Sequence, residues 1–92
     1  MTNAVITFKI MPESPEIDLE SLQKQALEKI AAYSGNDETK VEIEPVAFGL
    51  KALNIIFVMD ENKGSPDELE EDIETIKGVM SCETTDVRRA IG

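Results

Sequence analysis

The chain contains no histidine. That removes the commonest general base and the commonest transition-metal ligand from any site it builds. A single cysteine, Cys82, excludes an internal disulfide and any paired-thiol metal site. Its place in a strand pattern reads as core. Basic residues are few, 9 Lys and Arg against 19 Asp and Glu, giving a formal charge of −10. Such a surface repels nucleic-acid phosphate and anionic lipid and favours a partner with a basic face. No stretch approaches the ~20 apolar residues of a membrane span. The opening MTNAVITFKIMPES lacks the basic start and long apolar run of a signal peptide, so a cytoplasmic protein is expected. Aromatics are scarce as well, with only Phe8, Tyr33, Phe48 and Phe57. An aromatic outside the core pattern therefore carries information.

What is present reads as one domain over residues 1–92, with an apolar fraction of 41%, in the globular range. Residues 3–11 alternate, with Ala4, Ile6, Phe8 and Ile10 on one face, which predicts a strand that Pro12 and Pro15 break. Asp18 is suited to cap a helix. Leu19, Leu22, Ala26, Ile30 and Tyr33 recur at helical spacing behind it, and Gly35 with Asn36 ends it. A second strand over residues 39–47 has Val41 and Ile43 on one face and Glu42 and Glu44 on the other. Pro45 makes it an edge strand, because proline cannot donate to a ladder. Leu53, Ile55, Phe57 and Met59 give a third strand that is partly apolar on both faces, as a central strand is. Ser65, Pro66 and Glu68 signal a second helix, with Leu69, Ile73 and Ile76 buried and Gly78 as its stop. A last strand puts Met80, Cys82 and Thr84 on the buried face.

The order strand, helix, strand, strand, helix, strand predicts a ferredoxin-like βαββαβ α+β sandwich. Two interleaved right-handed βαβ units give a four-stranded antiparallel sheet of order 4-1-3-2 with both helices on one face. The fold by itself assigns no function.

Chemistry is hard to place on this framework. Cys82 has no base to activate it. The carboxylates Glu70, Glu71 and Asp72 form a solvated helix face. The stretch DENKG at residues 60–64 lacks the ligand spacing of a calcium loop. The outward face of the central strands, with Val5, Thr7, Lys9, Asn54, Ile56 and Val58, carries no aromatic on which a base could stack. Neither a metal, a cofactor nor an enzymatic reaction is expected. One feature resists an ordinary reading. Turns face water and are usually polar, yet Phe48 stands beside Gly49 at the tip of a hairpin, between Pro45 and Lys51. It either folds back over the sheet end or projects.

The segment PVAFGLKALNI resembles a hairpin motif of the guanine-nucleotide exchange domain of the elongation factor 1-beta family. The opening FKIMPESPEIDLESL and the ending TTDVRR look like the archaeal form, so the resemblance runs over essentially the whole chain. It implies the same fold and a non-enzymatic activity, namely promoting GDP release from elongation factor 1-alpha so that GTP can rebind. It implies that the aromatic matching Phe48 inserts into a pocket of the GTPase, with Ala47, Gly49 and Lys51 beside it. Eukaryotic relatives also carry a lysine near the C-terminus that reaches toward the magnesium and phosphate site. Here the nearest cations are Arg88 and Arg89, next to Asp86, and the chain ends Ala90, Ile91, Gly92. The resemblance thus offers Asp86, Arg88 and Arg89 as a second partner contact without a magnesium-displacing lysine. A monomer is expected, with no direct contact to nucleic acid or membrane. The other reading of the same fold is a regulatory domain that binds a small ligand on its open sheet face or at a dimer seam.

Overall fold

The computed structural model describes residues 3–35, 39–60 and 66–90, with side chains as far as Arg88. The elements are β1 (Asn3–Pro12), α1 (Leu19–Ser34), β2 (Thr39–Pro45), β3 (Lys51–Asp60), α2 (Asp67–Glu74) and β4 (Val79–Ala90). A single 3-10 turn, Ala47–Gly49, lies between β2 and β3. All neighbouring strands are antiparallel, in the order β2-β3-β1-β4. This is the expected ferredoxin-like sheet, with the proline-bearing β2 at an edge and the most apolar strands in the centre.

Alternation fixes which side of the sheet is covered. Ile6, Phe8 and Ile10 of β1 and Leu53, Ile55 and Phe57 of β3 face inward and are buried. Leu22, Ala26 and Ile30 of α1 and Leu69 and Ile73 of α2 close over them in one cluster. The Phe8 and Phe57 rings meet edge-on, with centroids 5.0 Å apart, a favoured aromatic arrangement. Both helices therefore lie on one face, and the other face of the sheet is open.

Local signals explain the element ends. The Asp18 carboxylate accepts the Glu20 backbone N–H at 3.1 Å and caps α1. Gly35, at φ 70°, closes that helix by donating to the Ala31 carbonyl at 2.9 Å. Four expectations needed correction. Pro12 does not break β1 but is its last residue, paired with Val79. β2 stops at Pro45 rather than running to Ala47, because residues 47–49 turn. α2 ends at Glu74, not at Gly78. Tighter bonds from Thr75 to Asp72 and from Ile76 to Ile73 finish it, and Gly78, at φ 98°, serves the turn into β4. Met80 is exposed, whereas Val79 and Cys82 are buried. A register shift opposite Met11 and Pro12 adds a residue there and turns Met80 outward. Asn36, the capping serine Ser65 and residues 61–64 lie outside the described part.

Candidate functional site

Pro45 pairs with Lys51, and five residues connect them. The Val46 N–H donates to the Leu50 carbonyl at 2.8 Å, and Leu50 donates back to Ala47 at 3.3 Å. The tip is thus a closed, hydrogen-bonded turn. Within it Phe48 and Gly49 both have positive φ, 62° and 76°. Glycine enters that region freely, but a bulky L-residue pays about 1–2 kcal/mol for it. The turn places the Phe48 side chain away from the sheet, and it is 94% exposed. Phe48 projects; it does not cover apolar atoms of its own domain.

Beside the tip lies a groove of about 420 Å³. Pro12, Pro15, Ile17 and Leu19, from the end of β1 through the start of α1, line it together with Gly49 and Lys51 of the hairpin. Lys51 is exposed and makes no ion pair among the described residues.

The expected site residues fall into two groups. Ala47, Phe48, Gly49 and Lys51 share the hairpin end. Asp86 pairs with Thr7 and Arg88 with Val5, and Val5 also pairs with Val58, at the other end of β3. From Lys51 to Val58 the strand rises about 23 Å, at ~3.3 Å per residue. Asp86 and Arg88 lie on the open face, because a second register shift, between Thr7 and Phe8, reverses the alternation of β4 after Thr84. Arg88 Nε donates to Asp86 Oδ2 at 2.8 Å. Backbone pairing puts Arg89 opposite Ala4, and its side chain lies outside the described part.

Charge is unevenly spread. The open face carries Lys9–Glu44, Lys40–Glu42 and Arg88–Asp86, ion pairs of 3.7, 3.4 and 2.8 Å that balance one another locally. The helical side is acidic, with Asp67, Glu68, Glu70, Glu71, Asp72 and Glu74 all on α2. Cys82 lies beneath that helix. Burial, then the nearby Glu70, Glu74 and Glu83, push its thiol up to about 12. A thiol held protonated is not a nucleophile at neutral pH. Among the described residues no group of three or more Cys, Asp and Glu is placed to hold a metal ion, and no helix is long and apolar enough to cross a membrane.

Residues 5–90 match the EF-1 guanine nucleotide exchange domain. The chain belongs to this family. Elongation factor 1-beta of Methanothermobacter thermautotrophicus is 45% identical over 89 residues, 97% of this chain and 98% of that protein. The Methanobrevibacter smithii protein of the same name is 47% identical over 90 residues, with 97% and 98% covered. Among solved structures, the de novo designed protein Foldit4 superimposes with a TM-score of 0.62 over 98% of both chains. Its 20% identity makes that a likeness of fold alone. An exchange domain of this family performs no bond chemistry, so the surface that meets the GTPase takes the place of an active site.

The hairpin tip is legible in the sequence, whereas the groove at its foot and the separation of the two residue groups are not. The proline-rich PESPEI was the available signal for the groove, since prolines hold a connector extended against the sheet end. Nothing periodic announces the register shifts in β4.

Proposed function

We infer that the chain promotes GDP release from elongation factor 1-alpha during translation elongation by inserting Phe48 into that GTPase. It works as a single exchange domain over residues 1–92, as a monomer in the cytoplasm. The observation that carries this reading is the Phe48 side chain, 94% exposed on a hydrogen-bonded turn. A free ring in water is an unfavourable arrangement that a partner pocket relieves, and its burial contributes about 2–3 kcal/mol.

Exchange requires differential affinity. The factor must bind the nucleotide-free GTPase more tightly than the GDP-bound form, and by linkage GDP weakens factor binding by the same ratio. A pocket that opens only when nucleotide-contacting elements move converts Phe48 burial into that preference. Ala47 and Gly49 shape the turn, and the unpaired Lys51 reaches acidic groups of the partner. Asp86, Arg88 and Arg89 form a second, weaker contact at the far end. A GTPase touching both ends must extend along the length of the sheet, in a molecule measuring 42 × 21 × 19 Å.

The test is affinity for elongation factor 1-alpha, measured by pull-down or calorimetry with and without GDP. Binding that weakens when GDP is added supports exchange. Equal binding in both conditions, or none, refutes it. A regulatory ligand-binding domain would instead show a melting temperature raised by small metabolites and no GTPase binding.

A further inference from the structure

We propose that the groove at the foot of the hairpin is a docking contact for the same GTPase, taking a surface segment with an apolar side chain beside a basic one. The proposal rests on the reading of Phe48 as the inserted group and adds a distinct role. Phe48 selects the nucleotide-free state, and the groove holds the partner whatever its state.

Position comes first. Gly49 follows Phe48 and lines the groove together with Lys51. A partner that closes over the Phe48 ring also closes over this groove. A Cβ on Gly49 would meet no atom within 4 Å, so the hairpin backbone is bare on that side.

The groove is also preformed. Pro12 and Pro15 fix their own φ angles. The Glu13 N–H donates to the Gly78 carbonyl at 2.9 Å and ties the connector to the start of β4. Asp18 is held by its cap bond to Glu20. Its volume of about 420 Å³ is within the range of pockets that hold small ligands. Little ordering cost remains to be met when a segment enters a surface fixed in this way.

Charge then chooses the occupant. Glu20 is exposed at the rim and makes no ion pair among the described residues. Asp18 adds a second carboxylate to the lining, and Lys51 adds a cation. A segment whose basic side chain meets Asp18 and Glu20 satisfies those carboxylates, and Lys51 repels a second cation. The formal charge of −10 favours the same partner at longer range. The proposal places the docked segment on a part of the GTPase that does not move with nucleotide. Such a contact changes affinity without shifting the equilibrium between states.

The experiment titrates each variant against elongation factor 1-alpha carrying a fluorescent GDP and separates maximal release rate from half-saturating concentration. Ser14→Trp fills the groove, and Glu20→Lys reverses its rim charge. The expected result for Ser14→Trp is a half-saturating concentration raised about tenfold, with the maximal rate within about twofold of the parent. For Glu20→Lys the expected rise is about threefold, fading as salt is added. Unchanged half-saturation in folded variants overturns the proposal. If Ser14→Trp fails to fold, Glu20→Lys and Glu20→Gln, at an exposed position, decide it alone. Phe48→Ala keeps the two ideas apart. Loss of maximal rate there, with groove variants unaffected, removes the groove and leaves the insertion. An unaffected Phe48→Ala beside weakened groove variants removes the insertion and leaves the groove. Groove resonances that shift with the concentration of the free protein, and not with added GTPase, identify a second copy as the occupant and overturn the proposal.

Discussion

Phe48 and Gly49 follow each other in the left-handed region, at φ 62° and 76°. Only the glycine adopts this conformation without strain. The hairpin therefore holds its exposed aromatic in a backbone conformation that the residue itself disfavours, a combination that stability alone does not explain.

Replacing Phe48 with asparagine separates stability from function. Asparagine tolerates the left-handed region better than phenylalanine and removes an exposed ring. Phe48→Asn is expected to leave the urea midpoint unchanged or raise it, by up to about 1 kcal/mol of stability, while GDP release slows. A clear loss of stability would mean that the ring packs on its own domain in solution.

Two glycines with positive φ differ in what surrounds them. A Cβ on Gly49 meets nothing within 4 Å, whereas one on Gly78 comes to 3.2 Å from Ile17 Cγ2. Gly49→Ala is expected to cost about 1–2 kcal/mol from backbone strain alone. Gly78→Ala adds a displacement of Ile17 against the core and costs more. Urea unfolding of both variants checks the order, and equal losses would argue against the contact at Gly78.

Stability is expected to fall at high pH, and the group responsible can be located. The Cys82 thiol is raised from 9.0 to about 12 in the folded protein. Burial, then Glu68 and Asp67, also raise the Tyr33 phenol. Above pH 9 the unfolded chain gives up the cysteine proton while the folded chain keeps it. Stability from this group is complete below that pH and is lost as pH rises toward about 12. Cys82→Ala is expected to flatten the decline of the urea midpoint across that window, and an unchanged slope would contradict the assignment. The same protonated thiol should resist alkylation at neutral pH until the protein unfolds.

Much of the architecture was readable because it is periodic or punctuated. The period-two faces of β1 and β3 gave the core. Pro45 gave the edge, and Asp18 and Gly35 gave the ends of α1. The Phe48-Gly49 tip was visible as an aromatic where a turn needs polar residues. What was not readable depends on single inserted residues and on distance in space. The two shifts in β4 break its alternation, expose Met80 and turn Asp86 and Arg88 onto the open face. The groove joins Pro15 and Leu19 to Gly49 across about thirty residues of chain, a pairing that only the sheet register creates.

Arg88 tests the far end. Its bond to Asp86 is short, at 2.8 Å, but solvent-exposed, so Arg88→Ala is expected to change stability by less than about 0.5 kcal/mol. Its effect on exchange is expected to be smaller than that of Phe48→Ala and to shrink as salt rises. A loss independent of salt would argue for a packed contact instead of an electrostatic one.

The most direct measurement is stopped-flow release of a fluorescent GDP from elongation factor 1-alpha, comparing the parent chain with Phe48→Ala. Removing a ring worth about 2–3 kcal/mol in a partner pocket predicts a maximal rate reduced by more than about tenfold, in a variant whose unfolding is unchanged. A folded Phe48→Ala that releases GDP at the parent rate would contradict the account.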